Sequence, residues 1–160
     1  MREICFKPVG IIHSPFKEMK GMPIQPAGAR GVKGHVAIEA EYVEGLKDLE
    51  GFSHIILIYY FHLSAGYQLL VKPFLDEKLR GVFSTRAPRR PNAIGLSTVR
   101  LVKVEGARLH IENVDIIDGT PLFDIKPYVG EFDGIEAERT GWLSEKADGV
   151  TKAKADGRFL

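Results

Sequence analysis

Short runs of β-branched and aromatic residues, separated by Pro- and Gly-rich connections, dominate this chain of 160 residues. Such runs are typical of strands, and little of the sequence has helical periodicity. Helical patterns are confined to 41–49 and 67–79, and Pro73 interrupts the second. We therefore predict a mainly β fold: a single antiparallel β-barrel with long loops and one or two short helices. The predicted strands are 6–13, 35–40, 54–62, 81–85, 98–104, 108–114 and 122–129.

Two of these runs carry further local detail. In the run 98–104 the apolar positions change phase, which predicts a β-bulge near Leu101. The link 105–107 contains Gly106 and predicts a short hairpin loop to the next strand.

The run 54–62 is apolar on both faces, so we expect it to be buried on both sides.

The composition is that of a soluble globular chain with one core, at 44% apolar and 27% charged residues. The longest apolar run, 55–61, is too short to span a bilayer, and the amino-terminal residues lack a signal-peptide pattern. Cys5 is the lone cysteine, which excludes an internal disulfide and a multi-cysteine metal site. The histidines lack a chelating arrangement, so no metal is expected. These features predict a cytoplasmic protein without a membrane partner.

The end of the chain differs in composition from the rest. Residues 144–160 are polar and rich in Lys and Asp, which predicts a loosely held C-terminal tail. The barrel domain is then expected to span 1–143. The Gly-rich stretch 28–34 fits neither of the common phosphate-loop patterns, and a flexible turn is the simpler interpretation.

A cationic, proline-rich segment follows one of the predicted strands, and residues 81–97 read GVFSTRAPRRPNAIGLS. Residues 78–104 include seven Lys or Arg and no Asp or Glu, whereas 105–148 has eleven acidic residues and four basic ones. Prolines and crowded cations are typical of rigid platforms that bind an anionic or planar ligand. The charge asymmetry favours a polyanionic partner. The alternative is a solvated loop held by surface ion pairs.

Other residues are candidates for ligand contacts on local grounds. Prolines on both sides hold Gln25 in an extended frame, where its amide suits an adenine edge. His62 stands where a strand meets a loop, and a satisfied structural histidine is the alternative. Asp118 could accept a hydrogen bond from a ribose hydroxyl, although its surroundings also fit a plain turn. One face of an extended segment carries Asp124, Lys126 and Tyr128, either as a reactive wall beside the Arg-rich segment or as a solvated strand face.

Four segments carry a resemblance to a known family. Residues 83–97, FSTRAPRRPNAIGLS, and 118–128, DGTPLFDIKPY, are the specific ones, and 9–16 and 49–54 are weaker. They follow one another in the family's order and cover the chain from about 9 to 142. The chain resembles the TsaA-like (YaeB-like) family of S-adenosylmethionine-dependent tRNA methyltransferases. Members of that family methylate N6 of the threonylcarbamoylated adenosine beside the anticodon.

The resemblance implies a β-barrel and a homodimer with S-adenosyl-L-methionine bound near the subunit interface. It also implies a set of cofactor contacts, matched residue by residue to the family's motifs. These contacts are Pro23, Ile24, Gln25, His62, Leu63, Arg86, Leu96, Asp118, Gly119, Thr120 and Pro121.

We therefore predict an S-adenosylmethionine-dependent tRNA (adenine-N6) methyltransferase with tRNA as its substrate. An exocyclic amine is a poor nucleophile, so groups that hold it assist the reaction. Asn92 and Tyr128 are the catalytic candidates, and an Asx turn is the alternative for Asn92. The candidates for RNA phosphate contacts are Arg89, Arg90 and Lys126. The alternative functions are a non-catalytic cofactor-binding module and a cofactor-free RNA-binding β-barrel.

Overall fold

The computed structural model describes residues 3–144, 146, 149, 151–156 and 158–159. Six strands form a closed barrel in the order β1-β2-β7-β6-β3-β8, and every neighbouring pair is antiparallel. A separate two-stranded ribbon pairs β4 with β5. The predicted mainly β, antiparallel barrel is confirmed. The strands are β1 Gly10–His13, β2 Lys33–Ile38, β3 His54–Tyr60, β4 Leu70–Val71, β5 Arg80–Gly81, β6 Ile94–Glu105, β7 Arg108–Glu112 and β8 Thr120–Pro127.

Helical structure in the described part of the chain consists of short pieces. The α-helix α1 spans Gly130–Asp133. The 3-10 helices span Pro26–Gly28, Ala40–Leu46, Leu49–Gly51, Val82–Ser84 and Gly141–Leu143. None of the helices among the described residues is long and apolar enough to cross a membrane.

Alternating side chains fill the barrel. On β3, Ile55 and Leu57 are fully buried, whereas the outward-facing Ile56 and Ile58 are half-buried, so the expected burial on both faces is partial. The other strands contribute in the same way, because successive side chains of a strand point to opposite faces. The inward-facing residues packed with these two are Ile12, Val36, Ile38, Tyr59, Val99, Leu101, Leu109, Ile111, Val114, Ile116 and Leu122.

The irregularities of β6 and β7 follow the sequence pattern. The register passes from Leu101 opposite Ile111 to Lys103 opposite His110, so the predicted bulge is present. The bulge lets Val99 and Leu101 face the core and leaves Val102 exposed. The predicted hairpin loop is also present, and Gly106 adopts a left-handed φ of 57° that glycine tolerates.

Two predicted elements are wrong, and a third changes type. Residues 67–79 form no helix; the segment carries β4 instead, and the Asp76 carboxylate organises its second half. That carboxylate accepts hydrogen bonds from Arg80 and from Lys146. Lys146 lies 70 residues further along the sequence, so a local helical pattern cannot reveal its contact with Asp76. The predicted strand 81–85 is mostly the 3-10 helix Val82–Ser84, because Ser84 and Thr85 donate their hydroxyls to nearby carbonyls. The predicted helix 41–49 is 3-10 in type.

The described part of the C-terminal segment packs against the first long loop and the segment around β4. Ala155 exchanges backbone hydrogen bonds with Gly21 and Met22, and Phe159 is 3% exposed and packs edge-on against Phe74 at a ring distance of 5.0 Å. Loose attachment is therefore wrong for these residues. Residues 145, 147, 148, 150, 157 and 160 of the predicted tail lie outside the described residues.

Candidate active site

One end of the barrel gathers the segments that the sequence singled out. Tyr60 at the end of β3 pairs with Ile94 at the start of β6, and Tyr59 pairs with Leu122 near the start of β8. The Arg-rich segment runs directly into β6, so the antiparallel order delivers it to this same end. A cavity of about 590 Å³ lies here, within the size range of small-molecule sites.

A directed chain of hydrogen bonds lies in the cavity wall. The Ser97 hydroxyl donates to Oδ1 of Asp115 at 2.7 Å, and the Tyr59 hydroxyl lies 3.1 Å from Ser97 Oγ. A serine hydroxyl has one hydrogen, and here Asp115 accepts it. The Tyr59 hydroxyl must therefore donate to Ser97, so both hydroxyl groups are directed toward the carboxylate.

The position of the Tyr59 ring depends on a glycine in the facing strand. A Cβ atom on Gly95 would lie 2.5 Å from Tyr59 Cζ and 2.8 Å from Cδ2, much closer than a side chain tolerates. Gly95 thus provides the space in which the ring reaches Ser97. Phe61 packs edge-on against the same ring, with the ring centroids 5.4 Å apart.

Burial is the largest influence on the pKa values of Asp115 and Tyr59. It raises the pKa of Asp115 to about 6, although the hydrogen bond from Ser97 and the nearby charge of Arg86 act in the opposite direction. It also raises the pKa of Tyr59 above its ordinary value, with the Asp115 charge adding to the effect. Tyr59 therefore stays protonated at neutral pH. Asp115 is a carboxylate at neutral pH that takes up a proton in mildly acidic solution.

The arginines of the Arg-rich segment have different partners. Arg86 donates from Nη1 to Oε1 of Gln25 at 2.8 Å, which joins the segment to the proline-flanked stretch before the first 3-10 helix. Arg90 donates from Nη1 to the carbonyl oxygens of Thr85 and Ala87 at 3.1 and 3.2 Å. Arg90 therefore stiffens the segment from within, and Arg86 remains at the exposed rim of the cavity.

His62 has a defined protonation pattern. Thr120 Oγ1 donates to the carbonyl of Ile117 at 2.7 Å and lies 3.3 Å from Nδ1 of His62. Because the threonine hydrogen is already used, Nδ1 is the donor and Nε2 of the neutral ring is an acceptor. Burial lowers the pKa of His62, which favours this neutral form.

Comparison with known proteins identifies the family. Residues 11–134 match the family described as the tRNA-methyltransferase O N-terminal domain. The chain belongs to this family. The TsaA-like resemblance is thereby confirmed.

Similar proteins agree with this membership. A "Probable S-adenosyl-L-methionine-binding protein" of Pyrococcus abyssi is 57% identical over 98% of this chain and 85% of its own length. A mouse protein named tRNA (adenine(37)-N6)-methyltransferase is 40% identical over 79% of this chain. The crystal structure of TrmO from Pseudomonas aeruginosa matches at a TM-score of 0.74 and 37% identity over 88% of this chain. This chain spans 31% of the mouse protein and 63% of the Pseudomonas chain.

Most of the predicted cofactor contacts of this tRNA-methyltransferase O family member meet at the cavity. Asn92, a predicted catalytic residue, and Arg90 lie there as well. The predicted cofactor contacts in the lining are Pro23, Ile24, Gln25, His62, Leu63, Arg86, Leu96 and Thr120.

Three predicted contacts lie beside the cavity and not in its lining, namely Asp118, Gly119 and Pro121. The Asp118 carboxylate is already engaged by Lys17 at 2.6 Å, by Nδ1 of His13 at 3.2 Å and by the backbone N–H of Ser14 at 3.1 Å. The Lys17 hydrogen bond is the main reason that the pKa of Asp118 falls to about 2. Asp118 thus ties the start of β8 to the end of β1.

The row of Asp124, Lys126 and Tyr128 leads away from the Arg-rich segment. It lies along β8 toward the opposite end of the barrel, where the Tyr128 backbone N–H donates to the His54 carbonyl and their rings meet edge-on. Lys126 forms an exposed ion pair with Asp124 at 2.8 Å. The structure therefore does not bring Tyr128 or Lys126 to the cavity, which favours the solvated strand face over the reactive wall.

The concentrated positive charge of 78–104 is partly neutralised by the fold. Arg80 pairs with Asp76, Arg100 with Glu112, and Lys103 with Glu105. These acidic partners come from before and after the cationic stretch. Arg89 is half-buried, and its carbonyl accepts the backbone N–H of Gln68. The cations facing the cavity are Arg86 and Arg90.

Sequence reasoning missed the chain formed by Tyr59, Ser97 and Asp115. Neither Ser97 nor Asp115 was among the candidate site residues. A signal was present, because Asp115 interrupts the apolar residues 114–117. A charged residue within a buried apolar run requires a compensating partner, and such residues cluster at functional sites. Asn113, which precedes this segment, has a left-handed φ of 67°, and its Oδ1 accepts a hydrogen bond from the Gly31 N–H.

Proposed function

We propose that this chain binds S-adenosyl-L-methionine at the barrel mouth and methylates N6 of the adenosine beside the anticodon of tRNA. The observation that carries the proposal is the convergence of Gln25, His62, Arg86, Leu96 and Thr120 on one cavity. Names of the similar proteins support both parts, since one denotes a binder of this cofactor and another a tRNA adenine-37 N6 methyltransferase.

The lining fits the proposed cofactor chemically. Apolar side chains of Ile24, Leu63 and Leu96 suit an adenine ring, and Gln25 and the Nε2 acceptor of His62 suit its polar edge. Arg86 provides a positive charge for the carboxylate of the methionyl group. When bound, the cofactor supplies a methyl group on a positively charged sulfur, which is already a good leaving group.

The residues of the chain then have to align the acceptor and exclude water. Holding two reactants in a reactive geometry accelerates such a transfer. Asn92 lies at the cavity, where its side-chain oxygen can accept a hydrogen bond from the exocyclic amine. Arg89, Arg90 and Lys126 are proposed to add phosphate contacts, which contribute affinity and not base selectivity.

The proposed assembly is a cytoplasmic homodimer, because tRNA is a cytoplasmic substrate and an apolar surface surrounds the cavity. Leu63 and Phe83 of the cavity lining are at least half exposed, and Phe83 reaches 76% exposure. Exposed apolar patches of this kind favour protein contacts. Residues 1–143 are proposed as the barrel domain and 144–160 as its C-terminal segment. Sedimentation equilibrium measures the subunit number, and a monomer at micromolar concentration would exclude the dimer.

A non-catalytic cofactor-binding module is the second candidate. It is favoured by the name of the Pyrococcus relative, which mentions binding and no reaction. Both candidates require the cavity, but only the methyltransferase requires an RNA acceptor.

Labelled cofactor separates these functions. The protein is titrated with S-adenosylmethionine by calorimetry and is then incubated with the methyl-labelled cofactor and tRNA from a strain that lacks the modification. Binding with transfer of the label to tRNA is expected. Binding without transfer would favour the second candidate, and tRNA binding without cofactor binding would exclude both.

A further inference from the structure

Asp115 is the acidic residue among the described residues that line the cavity. The charged or titratable side chains that share this lining are Arg86 and Arg90 from the Arg-rich segment, His62 after β3, and Tyr59 on β3. Partial burial of a carboxylate is unfavourable unless it has a charged or hydrogen-bonding partner, and carboxylates in such clefts are frequently functional.

The hydrogen bonds around Asp115 fix its orientation. Ser97 is 2% exposed and donates to Oδ1 at 2.7 Å, and Tyr59 donates to Ser97. The carboxylate cannot turn away without leaving a buried hydroxyl unsatisfied, which is costly. Gly95 secures the arrangement, because a larger residue would displace the Tyr59 ring.

We propose that Asp115 is the proton acceptor of the methyl transfer, a role that rests on the proposed function. Its carboxylate accepts the proton that leaves N6 of the target adenine. Tyr59 and Ser97 act through Asp115 and are positioning residues.

Atoms and charge balance in this transfer. The lone pair of N6 forms the new nitrogen–carbon bond while the carbon–sulfur bond of the sulfonium breaks, and sulfur keeps that electron pair as a neutral thioether. N6 returns to neutrality by passing its proton to Asp115, which becomes a neutral carboxylic acid. Solvent at the cavity mouth then removes the proton from Asp115.

The chemistry of the acceptor explains why such a base is useful. The lone pair of an adenine N6 is delocalised into the ring, and a carbonyl substituent on N6 would withdraw it further. Removing the proton as the bond forms avoids a high-energy cation, and a positioned base contributes about 10²–10⁴-fold to such reactions. Burial holds the pKa of Asp115 at about 6, so the group is ionised at neutral pH and close enough to it for ready exchange.

Single-turnover methyl transfer with the intact protein tests this role. Asp115→Asn keeps an oxygen that can accept the Ser97 hydrogen bond but cannot take up a proton. Glu112→Gln is the matched control, because Glu112 pairs with Arg100 outside the cavity. We expect the Asn variant to react at least about 100-fold more slowly and the control to react like the wild type. Calorimetry should show cofactor affinity within about threefold of the wild type, since the lost function is confined to the reaction step.

The pH profile and a ligand-free titration give independent readouts. The wild-type rate should fall below an apparent pKa of about 6, and carbon-13 NMR of the ligand-free protein should show one aspartate titrating there. Ser97→Ala removes the donor that stabilises the carboxylate, so both transitions should move to higher pH. Asp115→Glu should retain the acid limb and part of the rate.

Two results would overturn the role of Asp115 while leaving the proposed function intact. One is an Asn variant that reacts at the wild-type rate with an unchanged pH profile. The other is a loss of cofactor binding that accounts for the entire loss of rate, which would make Asp115 a binding residue. A wild-type protein that transfers no methyl group to tRNA would instead contradict the proposed function itself.

Discussion

At the scale of single residues, the cavity combines one half-buried acid with a small number of directional hydrogen bonds. Ser97 and Tyr59 orient Asp115, Thr120 fixes the tautomer of His62, and Gln25 accepts from Arg86. Such groups limit the orientations that a ligand can adopt, whereas the apolar lining provides contact area. Their energetic effects can be measured without any substrate.

Asp115→Asn should stabilise the protein increasingly as pH rises. The folded-state pKa of about 6 lies above the unfolded value, so the wild type loses stability as pH rises from about 4 to 6, where the unfolded state ionises before the folded one. The Asn variant has no such loss, and the difference in unfolding free energy should change by up to about 3 kcal/mol. Urea unfolding of both proteins at pH 4 and pH 8 measures it. A difference that is the same at both pH values would show that Asp115 is not shifted.

Arg86→Ala should weaken cofactor binding much more than Arg100→Ala. Arg86 lines the cavity, whereas Arg100 pairs with Glu112 on the barrel surface. Loss of a charged hydrogen bond costs about 1.5–3 kcal/mol, or roughly 10- to 100-fold in the dissociation constant. The surface change should stay below about threefold. Calorimetry compares the two variants, and equal small effects would remove Arg86 from the site.

At the scale of secondary-structure elements, the strands of the barrel could be predicted because their apolar and polar residues alternate along the sequence. The phase change at Leu101 and the hairpin at Gly106 are local signals, and both features are present. The segment 67–79 was mispredicted because Asp76 is organised by Lys146, which lies 70 residues away in the sequence. Gln25 and His62 could be predicted from local sequence, whereas the other cavity contacts were predicted mainly from the family resemblance. Asp115 was missed because its partner Ser97 lies on another strand.

Gly95→Ala should disturb β3 and β6 together. The added methyl group would meet the Tyr59 ring, which must move and lose its hydrogen bond to Ser97. Overpacking of this kind costs about 1–3 kcal/mol. Gly81→Ala is the control, because a Cβ there meets open space and the glycine has an ordinary φ of −58°. Thermal unfolding distinguishes the variants, and a Gly95 variant as stable as the control would contradict the packing described for Tyr59.

At the scale of the whole molecule, the described residues of the C-terminal segment complete one side of the cavity. Ala155 and Phe159 line it together with Met22 from the first long loop. Segments from the beginning, middle and end of the chain therefore meet at the barrel mouth. Binding a ligand there should couple their stabilities, because a ligand stabilises the state that it binds.

Phe159→Ala should release the described C-terminal residues. Phe159 is buried against Phe74, and a buried Phe→Ala change costs about 3–5 kcal/mol. Exchange of the Ala155 amide hydrogen, which bonds to the Met22 carbonyl, should accelerate by at least about 100-fold. Lys152→Ala is the exposed control. Unchanged protection in the Phe159 variant would show that the segment is held by other contacts.

The central claim is that the barrel mouth delivers a methyl group to N6 of the adenosine beside the anticodon. Mass spectrometry of nucleosides tests it most directly, after incubating the protein with tRNA and a cofactor that carries a deuterated methyl group. We predict a deuterated methyl on N6 of that adenosine, and much slower labelling when Arg86→Ala replaces the wild type at a cofactor concentration near the wild-type dissociation constant. A label on another atom or another nucleoside, or no label on tRNA with the wild type, would contradict the account.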